Sequence, residues 1–155
     1  MPACRVTPTC ALEVVAAVDI LVAENIQFAV RGGGHTSWAG AANIGSNGVT
    51  IDLSAMNEVV VANNNATVAV GGGARWIDVY NVLVQQDLMV CGGRVAPVGV
   101  GGLTTGGGKC FFSSTTGFAA DGVAQFEVCS TVCVRLASLT LMLCTPARHK
   151  YRTDP

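Results

Sequence analysis

The sequence predicts a mixed helix-and-strand domain, α+β or α/β, on three observations. Two segments carry apolar residues at helical spacing, several short runs carry them at strand spacing, and glycine-rich loops separate the two kinds. With 155 residues, 50% of them hydrophobic and 12% charged, the chain is long enough to bury one ordinary core.

The elements follow in order. "VTPTCALEVVAAVDILVAEN" reads as a strand end, a turn and a helix, with Val14, Val15, Val18, Leu21 and Val22 at helical spacing. Glu13 occupies the third position of a capping box whose cap residue is Cys10, a poorer acceptor than serine. "IQFAV" is a short strand that enters the first glycine loop. "GVTIDL" alternates Val49, Ile51 and Leu53, which predicts a half-exposed strand. "EVVVANNNATVAV" predicts two strands around an asparagine turn, because asparagine tolerates left-handed backbone angles. "GGGARWIDVYNVLVQQ" becomes an amphipathic helix with Trp76, Val79, Tyr80 and Leu83 on one face, and Trp76 is read as core packing. The glycine-rich "CGGRVAPVGVGGLTTGGGK" after it shows no apolar helical pattern.

Composition excludes several functions. A net charge of −1 lacks the basic face that nucleic acid requires and the polybasic patch that an anionic membrane surface requires. Residues 128–144 are apolar except for Arg135. That run is shorter than the roughly 20 residues of a membrane span, and a central arginine adds about 2.5–3.5 kcal/mol against insertion. A buried strand or a tail foreign to the fold is expected there, and no membrane partner. Seven cysteines cannot all pair within one chain, and no C-x-x-C pair occurs. Most are expected to act as small buried hydrophobes, with no metal site. The opening "MPACRVTPTC" has no basic stretch followed by an apolar core, so no signal peptide is expected and the localisation stays unknown.

The glycines carry the functional signal. Gly32, Gly33 and Gly34 form one run, Gly71, Gly72 and Gly73 a second, and a cluster from position 99 to 108 a third. Consecutive glycines let a ligand approach the main chain, and successive free N–H groups attract anions. Ordering so much glycine is entropically costly, which favours shared binding of a phosphorylated cofactor over three unrelated turns. The familiar motifs fail. A G-x-G-x-x-G fingerprint beginning at Gly99 and Gly101 meets Thr104 at its sixth position, and a Walker loop ending at Gly108 and Lys109 has Leu103 where its first glycine belongs.

The segments "FAVRGGGHTSWAG", "GVTIDLSAMNEV", "ATVAVGGGARWIDVYNVL", "GGRVAPVGVGGLTTGGG" and "GFAADGVAQFEV", in this order, resemble FAD-linked oxidases of the vanillyl-alcohol oxidase type. These carry a p-cresol methylhydroxylase-type FAD-binding domain, and the berberine-bridge-enzyme-like branch is the most similar. The resemblance implies an α+β, two-lobed FAD-binding domain over residues 2–128. A small first lobe would end near Ala62, and an incomplete second lobe would follow. Residues 129–155 form an atypical tail, read as the product of a misread exon boundary or frameshift.

The same resemblance implies that Arg31, Gly32, Gly33, Gly34, His35, Thr36 and Ser37 wrap the FAD diphosphate. His35 would make a single covalent link to the 8α-methyl carbon of the flavin. Gly99, Val100, Gly101, Gly102, Leu103, Gly106, Gly107 and Gly108 match the second FAD-contacting segment, so the two segments must lie side by side. Gly117 and Asp121 match the stretch that follows it. Val95 stands where doubly tethered members have a second flavin-linking cysteine, and Cys91 comes four residues too early to replace it. Thr105, Cys110 and Gly122 also depart from the family's usual leucine, serine or glycine, and asparagine. Lys109 is either a phosphate neighbour or a solvated loop lysine, and His149 is given no role.

The implied activity is hydride transfer from an alcohol, sugar or alkaloid-like substrate to FAD and then to oxygen. The catalytic residues remain unknown, because the family's substrate domain has no counterpart here. The alternative is a non-catalytic, truncated FAD-binding fragment, and a membrane-anchored protein is a third possibility. Intact relatives of this type are often secreted.

Overall fold

The computed structural model describes residues 1–129 and the backbone of residues 141–143. Two small sheets organise the described residues. The first is parallel, with β3 (Val49–Asp52) between β1 (Cys4–Val6) and β2 (Phe28–Arg31). Helix α1 (Ala11–Ala23) makes the crossover from β1 to β2. It buries Val14, Val18 and Leu21 against Ile51, whose side chain is fully enclosed. Each of these apolar side chains contributes about 1.5–3 kcal/mol on burial. Val22 stays outside this stripe and is exposed.

Cys10 takes the N-cap position of α1 with no side-chain hydrogen bond. The Glu13 carboxylate instead reaches back to Thr9, accepting from its N–H at 2.6 Å and its hydroxyl at 3.0 Å. These two bonds hold the carboxyl below its usual range. The predicted capping box thus survives in part, displaced by one residue.

Strand β3 corrects the expectation of a half-exposed strand. Thr50, Ile51 and Asp52 are all buried, because a central strand of a parallel sheet is covered on both faces. The Asp52 carboxylate lies 3.6 Å from the Arg5 guanidinium on β1 and accepts the Ser54 N–H at 3.0 Å.

The second sheet is antiparallel. Strands β4 (Val59–Val61) and β5 (Val68–Val70) form the predicted hairpin, with Asn65 in the left-handed region at φ 54°. The backbone of β6 (Leu141–Leu143) pairs on the other side of β5. Because β4 belongs to this sheet, the lobe boundary falls before Val59 and not near Ala62: a hairpin cannot be divided between two sheets.

Helix α2 (Trp76–Val84) packs Trp76, Val79 and Leu83 onto the core that also holds Val68, Val70, Val90 and Val100. Gly92 and Gly93 press against the Trp76 ring, where an added Cβ would fall 2.1 and 2.4 Å from ring carbons. Trp76 is therefore core, as its spacing predicts.

A third helix, α3 (Val100–Thr105), was not legible in the sequence. A single turn, α4 (Ser113–Thr116), follows it. Two cysteines also depart from the expectation of inert buried thiols, since Cys91 and Cys110 form a disulfide. Cys4 and Cys10 are exposed. Residues 130–140 and 144–155, with most of the predicted tail, Arg135 and His149, lie outside the described residues. Among the described residues no helix is long and apolar enough to cross a membrane, and no cluster of potential ligands could hold a metal ion.

Candidate functional site: a cleft between two glycine loops

The first glycine loop leaves β2 at Arg31, so the parallel sheet aims it past the end of β3. The second begins at Gly99, which is bridged to Arg75 at the start of α2. Trp76 N–H donates to the Val98 carbonyl at 3.0 Å, and Val100 N–H donates to the Ala74 carbonyl at 2.9 Å. These bonds fasten the second loop to the core helix of the second lobe.

The two loops meet backbone to backbone. A Cβ on Gly33 would fall 2.4 Å from the Gly99 nitrogen, and a Cβ on Gly99 would fall 2.5 Å from the Gly33 nitrogen. Real Cβ atoms do not come that close, so only glycine permits the contact at both positions. Beside it opens a cleft of about 350 Å³. Gly32, Gly33, Gly34, His35 and Thr36 line one side, and Gly99, Gly102 and Leu103 line the other. Among the described residues, none accepts a hydrogen bond from the main-chain N–H groups of Gly33, Gly34, His35 or Thr36. A row of free amides beside a cleft is a concavity for anions.

Gly34 has φ 63°, a conformation that favours glycine, and the Arg31 guanidinium folds over it: an added Cβ would lie 2.7 Å from Nε. Asp52, in register with Arg31 across the sheet, pairs with Arg5. The Arg31 charge is thus left at the loop with no ion pair among the described residues. His35 is exposed at the mouth of the cleft.

Several predicted site residues lie elsewhere. The Val100 side chain is fully buried in the core and its N–H is committed to Ala74, so it adds nothing to the cleft. Gly101 packs toward the Gly72 carbonyl, and Gly106 toward the Gly102 carbonyl. Ser37 is exposed and does not line the cleft.

Gly107 (φ 95°) and Gly108 (φ 70°) make a left-handed turn whose carbonyls accept the N–H groups of Ala120 and Ala119. Gly117 (φ 79°) abuts Asp121, and the Asp121 carboxylate accepts the Phe118 N–H at 2.7 Å. The visible work of these last four residues is to shape turns behind the second loop. The run Gly71, Gly72 and Gly73 does not line the cleft either. Conversely, the sequence reading missed Val30, Ala41, Ala42 and Val98, all of which line it. Their only sequence signal is adjacency to the glycine loops and, for the alanines, small size.

Residues 2–131 match the FAD binding domain family. The chain belongs to that family. It is 40% identical over 146 residues to the FAD-dependent monooxygenase yanF of Aspergillus niger, covering 94% of this chain and 24% of that protein. It is 42% identical over 127 residues to the FAD-dependent monooxygenase tpcD of Cochliobolus heterostrophus, covering 82% of this chain and 24% of that one. Among solved structures, the vanillyl-alcohol-oxidase-type flavoprotein MtVAO615 of Myceliophthora thermophila superposes with a TM-score of 0.72 at 26% identity. That match covers 80% of this chain and 24% of the other. The chain thus spans about a quarter of the length of the relatives it matches. The fold is the p-cresol methylhydroxylase-type FAD-binding domain that the sequence resembles.

FAD fits what is present. The glycine contact is bare enough for a diphosphate to reach the backbone, and the free amides supply donors without a lysine cluster.

Proposed function

We propose that this chain is the FAD-binding portion of a flavin-dependent oxidoreductase of the berberine-bridge-enzyme-like branch. Gly33, Gly34, His35 and Thr36 would hold the diphosphate through their amides, Arg31 would add a positive charge, and Gly99, Gly102 and Leu103 would form the opposite wall. His35 would tether the flavin by a ring nitrogen bonded to the 8α-methyl carbon, which keeps the cofactor bound and tunes its reduction. When bound, FAD supplies hydride acceptance from an alcohol, sugar or alkaloid-like substrate and subsequent reaction with oxygen. Oxidase and monooxygenase outcomes share that oxygen step, and the relatives' names favour the second.

The observation that carries this reading is the Gly33–Gly99 contact beside a cleft with unpaired amides. The test is to express the chain with FAD available, denature it in acid, and measure flavin absorbance that stays with the protein. Retained absorbance is expected for the parent, and reversible flavin only for His35→Ala. Parent protein that holds no flavin even before acid would overturn the reading. Parent that loses its flavin in acid, or equal retention in both, would overturn the role of His35.

A second reading is a non-catalytic FAD-binding fragment, favoured by the quarter-length match to the relatives. It predicts retained flavin with no turnover of any alcohol or sugar. We also propose that the recognisable FAD-binding unit spans residues 2–128 and that residues 129–155 are an atypical tail, whose strand β6 pairs onto β5.

A further inference from the structure

We propose that Asn65 is an N-glycosylation site, and that the chain folds in the oxidising secretory compartment where this modification is made. The proposal does not rest on the FAD reading. Of eight asparagines, only Asn65 stands two residues before a serine or threonine without an intervening proline, in Asn65-Ala66-Thr67.

The structure puts this triplet where an acceptor must be. Asn65 lies at the exposed tip of the β4–β5 hairpin, in a left-handed conformation at φ 54°. The turn is held by its backbone: Asn65 N–H donates to the Ala62 carbonyl at 2.8 Å, and Ala62 N–H donates to the Thr67 carbonyl at 2.9 Å. The neighbouring Asn64 uses its side-chain oxygen to accept the Ala66 N–H at 3.1 Å. The Asn65 carboxamide has no such commitment among the described residues and is free to be derivatised.

Position also favours it. β5 runs from this turn towards Gly71, at the glycine junction, and three strand residues span about 10 Å. A glycan on Asn65 therefore extends from the end of the hairpin opposite the cleft.

A second, independent observation concerns the compartment. Cys91 and Cys110 are disulfide-bonded with their Cα atoms 5.4 Å apart, and both are buried. Structural disulfides form and persist in oxidising compartments and are rare in the cytosol.

The reaction is a group transfer. The amide nitrogen of Asn65 bonds to the anomeric carbon of an oligosaccharide carried on a lipid diphosphate, and the bond from that carbon to the diphosphate oxygen breaks. The nitrogen loses one proton, and the lipid diphosphate leaves.

The test is to express the full chain behind a cleavable secretory leader in yeast and to treat the lumenal fraction with peptide-N-glycosidase. The expected result is a mobility shift, with Asn65 recovered as aspartate in its peptide. Asn65→Gln and Thr67→Ala are expected to abolish the shift, and Thr67→Ser to keep it. Lumenal parent and Thr67→Ser protein that both run unchanged by the glycosidase would overturn the site. Peptide mapping should find Cys91 linked to Cys110 in lumenal protein and reduced in protein made in the cytosol. Equal linkage in both would overturn the compartment.

Discussion

Two runs of three glycines share a sequence pattern and differ in what they touch. At Gly32, Gly33 and Gly34 the backbone borders a cleft, and the closest approach is to another glycine, Gly99. At Gly71 and Gly73 the backbone is wedged against the turn that follows β3. An added Cβ there would lie 2.1 Å from the Met56 carbonyl oxygen and 1.7 Å from that of Leu53. Between them, the Gly72 carbonyl lies near both Gly32 and Gly101. The second run is a spacer that lets the two lobes close, while the first run leaves room for a ligand. Bareness therefore has two uses in one molecule, and only the surroundings tell them apart.

Substitutions can break this contrast. Gly73→Ala drives a methyl into a carbonyl that cannot move independently, so a loss of about 3–5 kcal/mol or failure to fold is expected in denaturant titration. Gly33→Ala forces the two loops apart. It should cost about 1–3 kcal/mol of stability and, in a flavin-retention assay, at least tenfold in captured flavin.

A further pair, Gly92 and Gly93, can be read through a neighbour. The Tyr80 hydroxyl donates to the Gly93 carbonyl at 2.8 Å, and burial pushes its pKa up to about 12. The neutral phenol is favoured in the fold, so its stabilisation is complete below pH 10 and is lost as pH rises through 12. Absorbance titration should show this late tyrosinate in the folded parent, and unfolding the protein in denaturant, which removes the burial, should return it towards 10.

The smallest effect is the most discriminating. Gly102 sits inside α3, with nothing within 4 Å of an added Cβ, yet it lines the cleft. Gly102→Ala should stabilise the protein by about 0.5–1 kcal/mol while weakening flavin capture. A variant that gained stability and kept full capture would remove Gly102 from the binding wall.

Local periodicity made much of the fold legible. The apolar spacing of Val14, Val18 and Leu21, and of Trp76, Val79 and Leu83, marked both long helices, and the asparagine run marked the hairpin. What escaped was set by tertiary context. Helix α3 contains two glycines and two threonines, which are poor helix formers. It forms because Val100 and Thr104 are fully buried, and the Thr104 hydroxyl donates to the Val100 carbonyl at 2.7 Å. The Cys91–Cys110 bond joins positions 19 residues apart, a pairing that spacing alone cannot select. A loop of that size is worth about 3 kcal/mol in the chain-entropy account. In the site, residues whose backbone meets the cleft were legible as glycine runs. Val100 and Asp121 share those segments but serve packing and a turn, a division that no sequence pattern records.

Because Gly33 belongs to the loop that leaves the parallel sheet and Gly99 to the loop fastened to α2 in the second lobe, neither lobe alone owns the groove between them. Any molecule held there is a guest of the assembled pair. Its affinity is therefore spent on holding the halves together, and its departure would loosen their union before it disturbed either half.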